Sequence, residues 1–217
     1  PAALLLVVAS DRGLCGGYNG NLIRHAEEEA RRLRGEGLEV RRFAIGRKAA
    51  DHFRRTRQAT IGERINNAPR LATVGLAREL AARMLSEFRA GEISQAAIVY
   101  SHFRSVLSQR PTFLRILPVE LKAEKGAQPP EYLVEPSRAE LLPVVLKTYL
   151  ESSVLHALLQ AEASEQGARM TAMDSATNNA SEMIQRLTLE MNRARQATIT
   201  RELMDIVGGA EALRGQA

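Results

Sequence analysis

The 217 residues suit one domain or two small ones and are enough to bury a sizeable core. Apolar content of 45% with 25% charged residues excludes a disordered chain, and no apolar run approaches the length of a membrane span. The single cysteine, Cys15, excludes an internal disulfide framework and fits a reducing compartment, while the net charge of +5 divides into +7 over residues 1–142 and −2 over residues 143–217.

The opening "PAALLLVVAS" has no basic start, so it reads as a buried strand over Leu4 to Ala9 rather than a signal peptide. A chain that opens on Pro1 instead of Met is expected to be preceded by further residues. From Asn19 to Arg34, Leu22, Ile23, Ala26, Ala30 and Leu33 recur at steps of three and four, which predicts an amphipathic helix. Glu39 to Ile45 reads as a second strand, Gly46 as a turn, and Arg47 to Arg55 as a short helix. Leu71 to Arg89 is a strong helical pattern. "QAAIVYSHF" (95–103) is a third strand and "PTFLRILP" (111–118) a fourth. "VELKAEKGAQPPEY" is a polar, proline-rich loop, and "EYLVE" reads as a last short strand. Strands alternating with helices imply a Rossmann-like layered α/β domain with a mainly parallel sheet over residues 1–142.

The pattern then changes. "SRAE" (137–140) has the form of a capping box, and Pro143 suits the first turn of a new helix. No proline follows for seventy-four residues. Leu146, Tyr149, Leu150, Val154, Ala157, Leu158 and Ala161 lie at helical steps. Ala168, Ala172, Ala176, Ala180, Ile184, Leu187, Met191 and Ala194 continue them, and Ile199, Leu203 and Ile206 follow. One gap of seven, from Ala161 to Ala168, interrupts the series. Residues 143–217 are therefore expected to be one very long C-terminal helix. Seventy helical residues rise about 105 Å, against a diameter of about 40 Å for a domain of 140 residues. Much of the helix should extend past its domain, and its apolar stripe then needs a partner helix, an enclosing protein, or both.

The glycine loop "SDRGLCGGYNG" raises the question of a nucleotide. A dinucleotide fingerprint wants Gly at i, i+2 and i+5 and an acid about twenty residues on. Here Cys15 stands where the second Gly belongs, and the second strand ends in Ile45-Gly46-Arg47-Lys48. Arg47 and Lys48 keep an NADP-binding α/β enzyme open as an alternative, because they could meet a 2′-phosphate. A Walker loop is excluded, since no Gly-Lys-Ser/Thr tripeptide occurs. The plainer reading is that these glycines permit positive φ and close packing at a turn. Cys15 as a nucleophile would need a neighbouring His. None of His25, His52, His102 and His156 has a partner at ligand spacing, and "HAEEEA" lacks a second His four residues on. The basic pairs Arg31-Arg32, Arg41-Arg42 and Arg54-Arg55 are not interleaved with aromatics, which suits solvated helix faces better than a nucleic-acid groove.

The stretch "MDSATNNASEMIQRLTLEMNRARQATITRELMDIVGGAEAL" (173–213) is the most specific feature. It resembles the C-terminal signature of the γ-subunit family of F-type ATP synthases. "SDRGLCGGYNGNL", "VYSHFRSVLSQRPT" and "PSRAELLPVVLKTYLESSVLHALLQAEASEQGARMTAMDSATNNAS" match that family in the same order. The resemblance implies a non-catalytic rotor shaft with no cofactor, no metal, no nucleic acid and no small-molecule substrate of its own. It implies that the long helix is half of an antiparallel coiled coil whose other half is an N-terminal helix, absent from residues 1–217. It implies as partners the α and β subunits of the catalytic hexamer, an ε/δ-type central-stalk subunit and the membrane c-ring. The expected place is the cytoplasmic face of a bacterial inner membrane, or the matrix face if mitochondrial, as a peripheral membrane protein. Family contacts fall on Arg195, Gln196 and Thr200 of "RARQATIT", on Ile206 and Val207 of the tip, and on Cys15. A non-rotary coiled-coil adaptor is the other alternative.

Overall fold

The computed structural model describes residues 1–58, 60–64, 72–119, 135 and 137–214. The expected loop over 119–132 and last strand over 131–135 fall almost wholly outside them. Two compact units result, Pro1–Ala172 and Met173–Ala217.

The first unit is built on five strands: β1 (Ala2–Val8), β2 (Glu39–Ile45), β3 (Thr60–Arg64), β4 (Gln95–Ser105) and β5 (Ser108–Leu117). Their order in the sheet is β3-β2-β1-β4-β5. The β1–β2, β1–β4 and β2–β3 pairs are parallel, and β5 closes the edge antiparallel to β4. Helices α1 (Tyr18–Gly35) and α2 (Arg47–Arg55) cover one face. Helices α3 (Val74–Arg89) and the first half of α4 (Arg138–Arg214) cover the other.

The central strand explains the opening apolar run. Ala2, Leu4, Leu6 and Val8 point toward α3 and α4, while Ala3, Leu5 and Val7 point toward α1 and α2. A strand covered on both faces has no polar alternation to show. Leu4, Leu5 and Leu6 are fully buried, each contributing about 1.5–3 kcal/mol relative to exposure.

The ends of β1, α1 and β4 fall within two residues of expectation, and four larger departures each have a physical reason. β3 has no apolar run in "TIGER". It forms because β2 offers an unpaired edge, and Gly62 lets the strand lie under the Phe43 ring, with the Arg83 guanidinium 4.8 Å from that ring's centroid. The fourth expected strand starts at Ser108 rather than Pro111, behind the two-residue turn Val106-Leu107. Pro111 is tolerated because β5 lies at the sheet edge. α3 starts at Val74 rather than Leu71, because the Thr73 hydroxyl accepts from the Leu76 amide at 3.2 Å and caps it. α4 starts at Arg138 and runs through Pro143. Ser137 caps it, its hydroxyl accepting from the Glu140 amide at 3.3 Å. Pro143 sits close to that start, and the carbonyl it leaves without a donor, that of Ala139, belongs to an exposed residue that water can reach.

The second unit is the part of α4 from Met173 onward. Every residue from Met173 to Ala210 is exposed, including Ile184, Leu187, Met191, Leu203 and Ile206. Among the described residues no helix is long and apolar enough to cross a membrane.

Candidate functional site

The glycine loop after β1 is folded onto its own chain. The Ser10 amide donates to Asn19 Oδ1 at 3.1 Å, the Ser10 hydroxyl donates to the Arg12 carbonyl at 2.6 Å, and Asn19 Nδ2 donates to Ser10 Oγ at 2.8 Å. Asn19 Nδ2 also reaches the Cys15 sulfur at 3.2 Å. Cys15 is only 2% exposed. Gly16 takes a φ of +55°, as does the neighbouring Leu14 at +63°, so the tight turn is where the left-handed backbone falls.

The N-terminus of α2 is the obvious place for a phosphate. There the Arg47 amide donates to the Asp11 carboxylate at 2.8 Å, and the Lys48 amide donates to the Ser10 carbonyl at 3.0 Å. The loop's own carboxylate thus occupies the anion position. In open α/β sheets ligands also favour the crevice where strand order reverses, here between β1 and β4. Helix α4 lies there instead. The Tyr18 hydroxyl, from the start of α1, donates to the Ala161 carbonyl at 3.1 Å, and the Ser164 hydroxyl donates to the Ser101 carbonyl at 2.8 Å. Burial pushes the Tyr18 phenol well above its ordinary value, and the Glu165 carboxylate adds to this, so it stays a donor.

More contacts tie α4 to the β4–β5 hairpin. The Phe103 amide donates to Gln160 Oε1 at 2.8 Å, and the Thr171 hydroxyl donates to the Val106 carbonyl at 3.1 Å. Gly167 sits between them, where a Cβ would lie 3.1 Å from the Phe103 ring. Beside the glycine loop and the hairpin turn, Leu14 is 75% exposed and Leu107 84% exposed.

The geometry therefore points to a scaffold holding a helix, and the comparisons agree. A family model described as ATP synthase matches residues 1–213. The chain is 45% identical to the ATP synthase gamma chain of Pelotomaculum thermopropionicum over 209 residues, covering 96% of this chain and 72% of that one. That of Geobacter metallireducens is 45% identical over 215 residues, covering 98% and 74%. The chain belongs to the ATP synthase gamma-chain family. Among solved structures it is similar to the central stalk and c-ring of the Tetrahymena thermophila mitochondrial ATP synthase, at 25% identity and a TM-score of 0.59, covering 81% of this chain and 76% of that one. A chain of the Euglena gracilis mitochondrial ATP synthase is alike in fold, at 20% identity and a TM-score of 0.72 over 98% and 73%.

As a gamma chain, its contact surface was expected at Arg195, Gln196, Thr200, Ile206, Val207 and Cys15. The first five are all exposed in the second unit. At 100° per residue they fall within an arc of about 140°, with Ile199 and Leu203 inside it, so they share one side of the helix. Cys15 lies in the first unit, buried under its loop, and the exposed side chains beside it are those of Arg12 and Leu14. The residues that seat α4, namely Tyr18, Gln160, Ser164, Gly167 and Thr171, were not singled out from the sequence. One signal was present. The seven-residue gap in the apolar stripe, Ala161 to Ala168, has Ser164 at its missing step, and Ser164 is fully buried.

Proposed function

We infer that this chain is the central-stalk rotor subunit of a rotary proton-translocating ATP synthase. It couples proton flow to ATP synthesis or hydrolysis on neighbouring catalytic subunits and catalyses nothing itself. The observation that carries this reading is the 45% identity to bacterial ATP synthase gamma chains across 96% of the chain. The loop that would have to hold a nucleotide is satisfied by Asp11, Ser10 and Asn19, which speaks against an NADP enzyme.

The partners are the α and β subunits of the catalytic hexamer, an ε/δ-type stalk subunit and the c-ring. The protein is a peripheral component of a membrane complex, on the cytoplasmic face of a bacterial inner membrane. Labour divides between residues 1–142, the α/β domain, and 143–217, the shaft helix, which serves as half of an antiparallel coiled coil. Arg195, Gln196 and Thr200 supply exchangeable polar contacts to catalytic-subunit loops, because a guanidinium makes strong bonds that can be passed from one acidic partner to the next. Ile206 and Val207 offer an apolar tip with no directional bonds, suited to turning in a sleeve. The Cys15 loop meets a neighbour through Arg12 and Leu14.

The test is native mass measurement of the chain mixed with α and β subunits, together with ATP hydrolysis. The expected result is a single assembly of one copy with a hexamer, and no hydrolysis by the chain alone. Hydrolysis by the isolated chain, or dimers that ignore the hexamer, overturns the reading in favour of an enzyme or an adaptor.

A further inference from the structure

Within the first unit, α4 is held from three directions around its axis. At 100° per residue, Gln160, Ser164, Gly167 and Thr171 fall within an arc of about 60°. All four face the β4–β5 hairpin, through the Phe103 amide, the Ser101 carbonyl, the Phe103 ring and the Val106 carbonyl. Ala161 lies about 100° from Gln160 and accepts from the Tyr18 hydroxyl at 3.1 Å. Glu162 lies a further 100° on, and its Oε2 accepts from the Ala72 amide at 3.1 Å. Each of these bonds joins a side chain on one element to backbone on another.

We propose that residues 160–171 form a keyed joint that stops α4 from turning about its own axis in the α/β unit, with Gln160, Ser164 and Thr171 as positioning residues for torque transfer. This rests on the rotor reading above. Apolar burial by Leu150, Val154, Ala157 and Leu158 holds the helix against the sheet, but it is non-directional and resists axial rotation little. Hydrogen bonds are directional. Turning a helix by about 20° at a side-chain radius of about 5 Å moves each key by about 1.7 Å, enough to break a bond of ordinary length. Keys at three bearings cannot all be kept by any such turn. The other buried positions of the segment are small, Ala161 and Gly167, so little bulk would replace them. A load-bearing shaft needs this stiffness where its helix is seated.

The test uses the complete ATP synthase assembled in inverted vesicles, carrying Q160A/S164A/T171V together with G16C/A172C. A Cβ built on Gly16 lies 3.8 Å from the Ala172 Cβ, the usual spacing for a disulfide; because Gly16 holds a φ of +55°, a complex carrying G16C/A172C alone is run beside it, and it must pump when reduced. The new bond would lock the same joint covalently. ATP-driven proton pumping against an opposing gradient is measured beside ATP hydrolysis, before and after oxidation, with the bond located between positions 16 and 172 by peptide mapping, since Cys15 is a third thiol next to it. The expected result is loss of pumping under load with hydrolysis retained in the reduced complex, and recovery of pumping on oxidation. Ser164→Ala alone should lose less than the triple variant. Full pumping by the reduced triple variant overturns the joint. So does pumping that is lost and does not return with the disulfide, since that is damage to the fold and not slip. A complex with Gln160, Ser164 and Thr171 unchanged that hydrolyses ATP yet never pumps overturns the rotor reading itself.

Discussion

Gly46 holds a φ of +89° beside the carbonyl oxygen of Ala9, which stands where a side chain would begin, so that any Cβ would overlap that oxygen. Around this contact the Ala9 amide donates to the Ile45 carbonyl at 2.8 Å and the Lys48 amide to the Ser10 carbonyl at 3.0 Å. The β1–β2 ladder thus runs on into the start of α2, and the glycine loop is fixed to it.

Gly46→Ala should be among the costliest single changes in the first unit. It combines left-handed strain with a backbone clash that no rotamer relieves. We expect a loss of about 3 kcal/mol or more in denaturant unfolding. A change under about 1 kcal/mol would mean that the two strand ends part easily.

Glu27 on α1 and His52 on α2 form the polar clasp between those helices, with His52 Nε2 2.6 Å from Glu27 Oε1 and Gln58 Nε2 donating to the same oxygen at 3.1 Å. The His52 bond, helped by Gln58, holds the Glu27 carboxyl below its ordinary value of 4.5. A depressed carboxylate stabilises the fold fully above its unfolded value and loses that contribution as pH falls through the folded one. Stability should therefore decline below about pH 4.5 in part through Glu27. Glu27→Gln should flatten that acid limb in pH-dependent thermal melts. An unchanged acid limb would remove Glu27 from the account.

Asn19 makes two side-chain bonds to Ser10, accepting from its amide and donating to its hydroxyl, and one to the Cys15 sulfur, and among the described residues no other side chain ties the glycine loop to α1 as fully. Asn19→Ala leaves the Ser10 amide without its acceptor in a partly buried place. We expect a loss of about 1–3 kcal/mol and faster alkylation of Cys15, which the loop now covers. Alkylation at the parent rate would show that the cover does not depend on this bond.

Arg195 and Gln196 are exposed on a helix in which every residue from Met173 to Ala210 is exposed. Replacing both by Ala keeps helix propensity high and removes no buried group. The expected outcome is an unchanged circular dichroism spectrum and melting temperature, with reduced coupled turnover in the assembled complex. Normal coupling in that variant would take these two residues out of the contact surface.

The sequence by itself determined the local and periodic features. The apolar run from Leu4 to Ala9 reads as a strand buried on both faces, because nothing in it is polar, and the strand lies at Ala2–Val8. The threes and fours of α1 and α4 had to be helices, and the order of elements allowed only a layered α/β unit followed by a long helix. The family followed from long motifs whose order needs no coordinates. Tertiary structure alone decided the rest, because it depends on partners distant in the chain. β3 exists only because β2 leaves an edge open, and "TIGER" carries no pattern of its own. What holds the glycine loop is Asp11 accepting from the Arg47 amide, thirty-six residues away. Ser164 reads as a gap in an apolar stripe until the Ser101 carbonyl, sixty-three residues earlier, is placed beside it. A hydroxyl on a buried face is a flaw in periodicity and a bond in space, and only the folded chain shows which acceptor it meets.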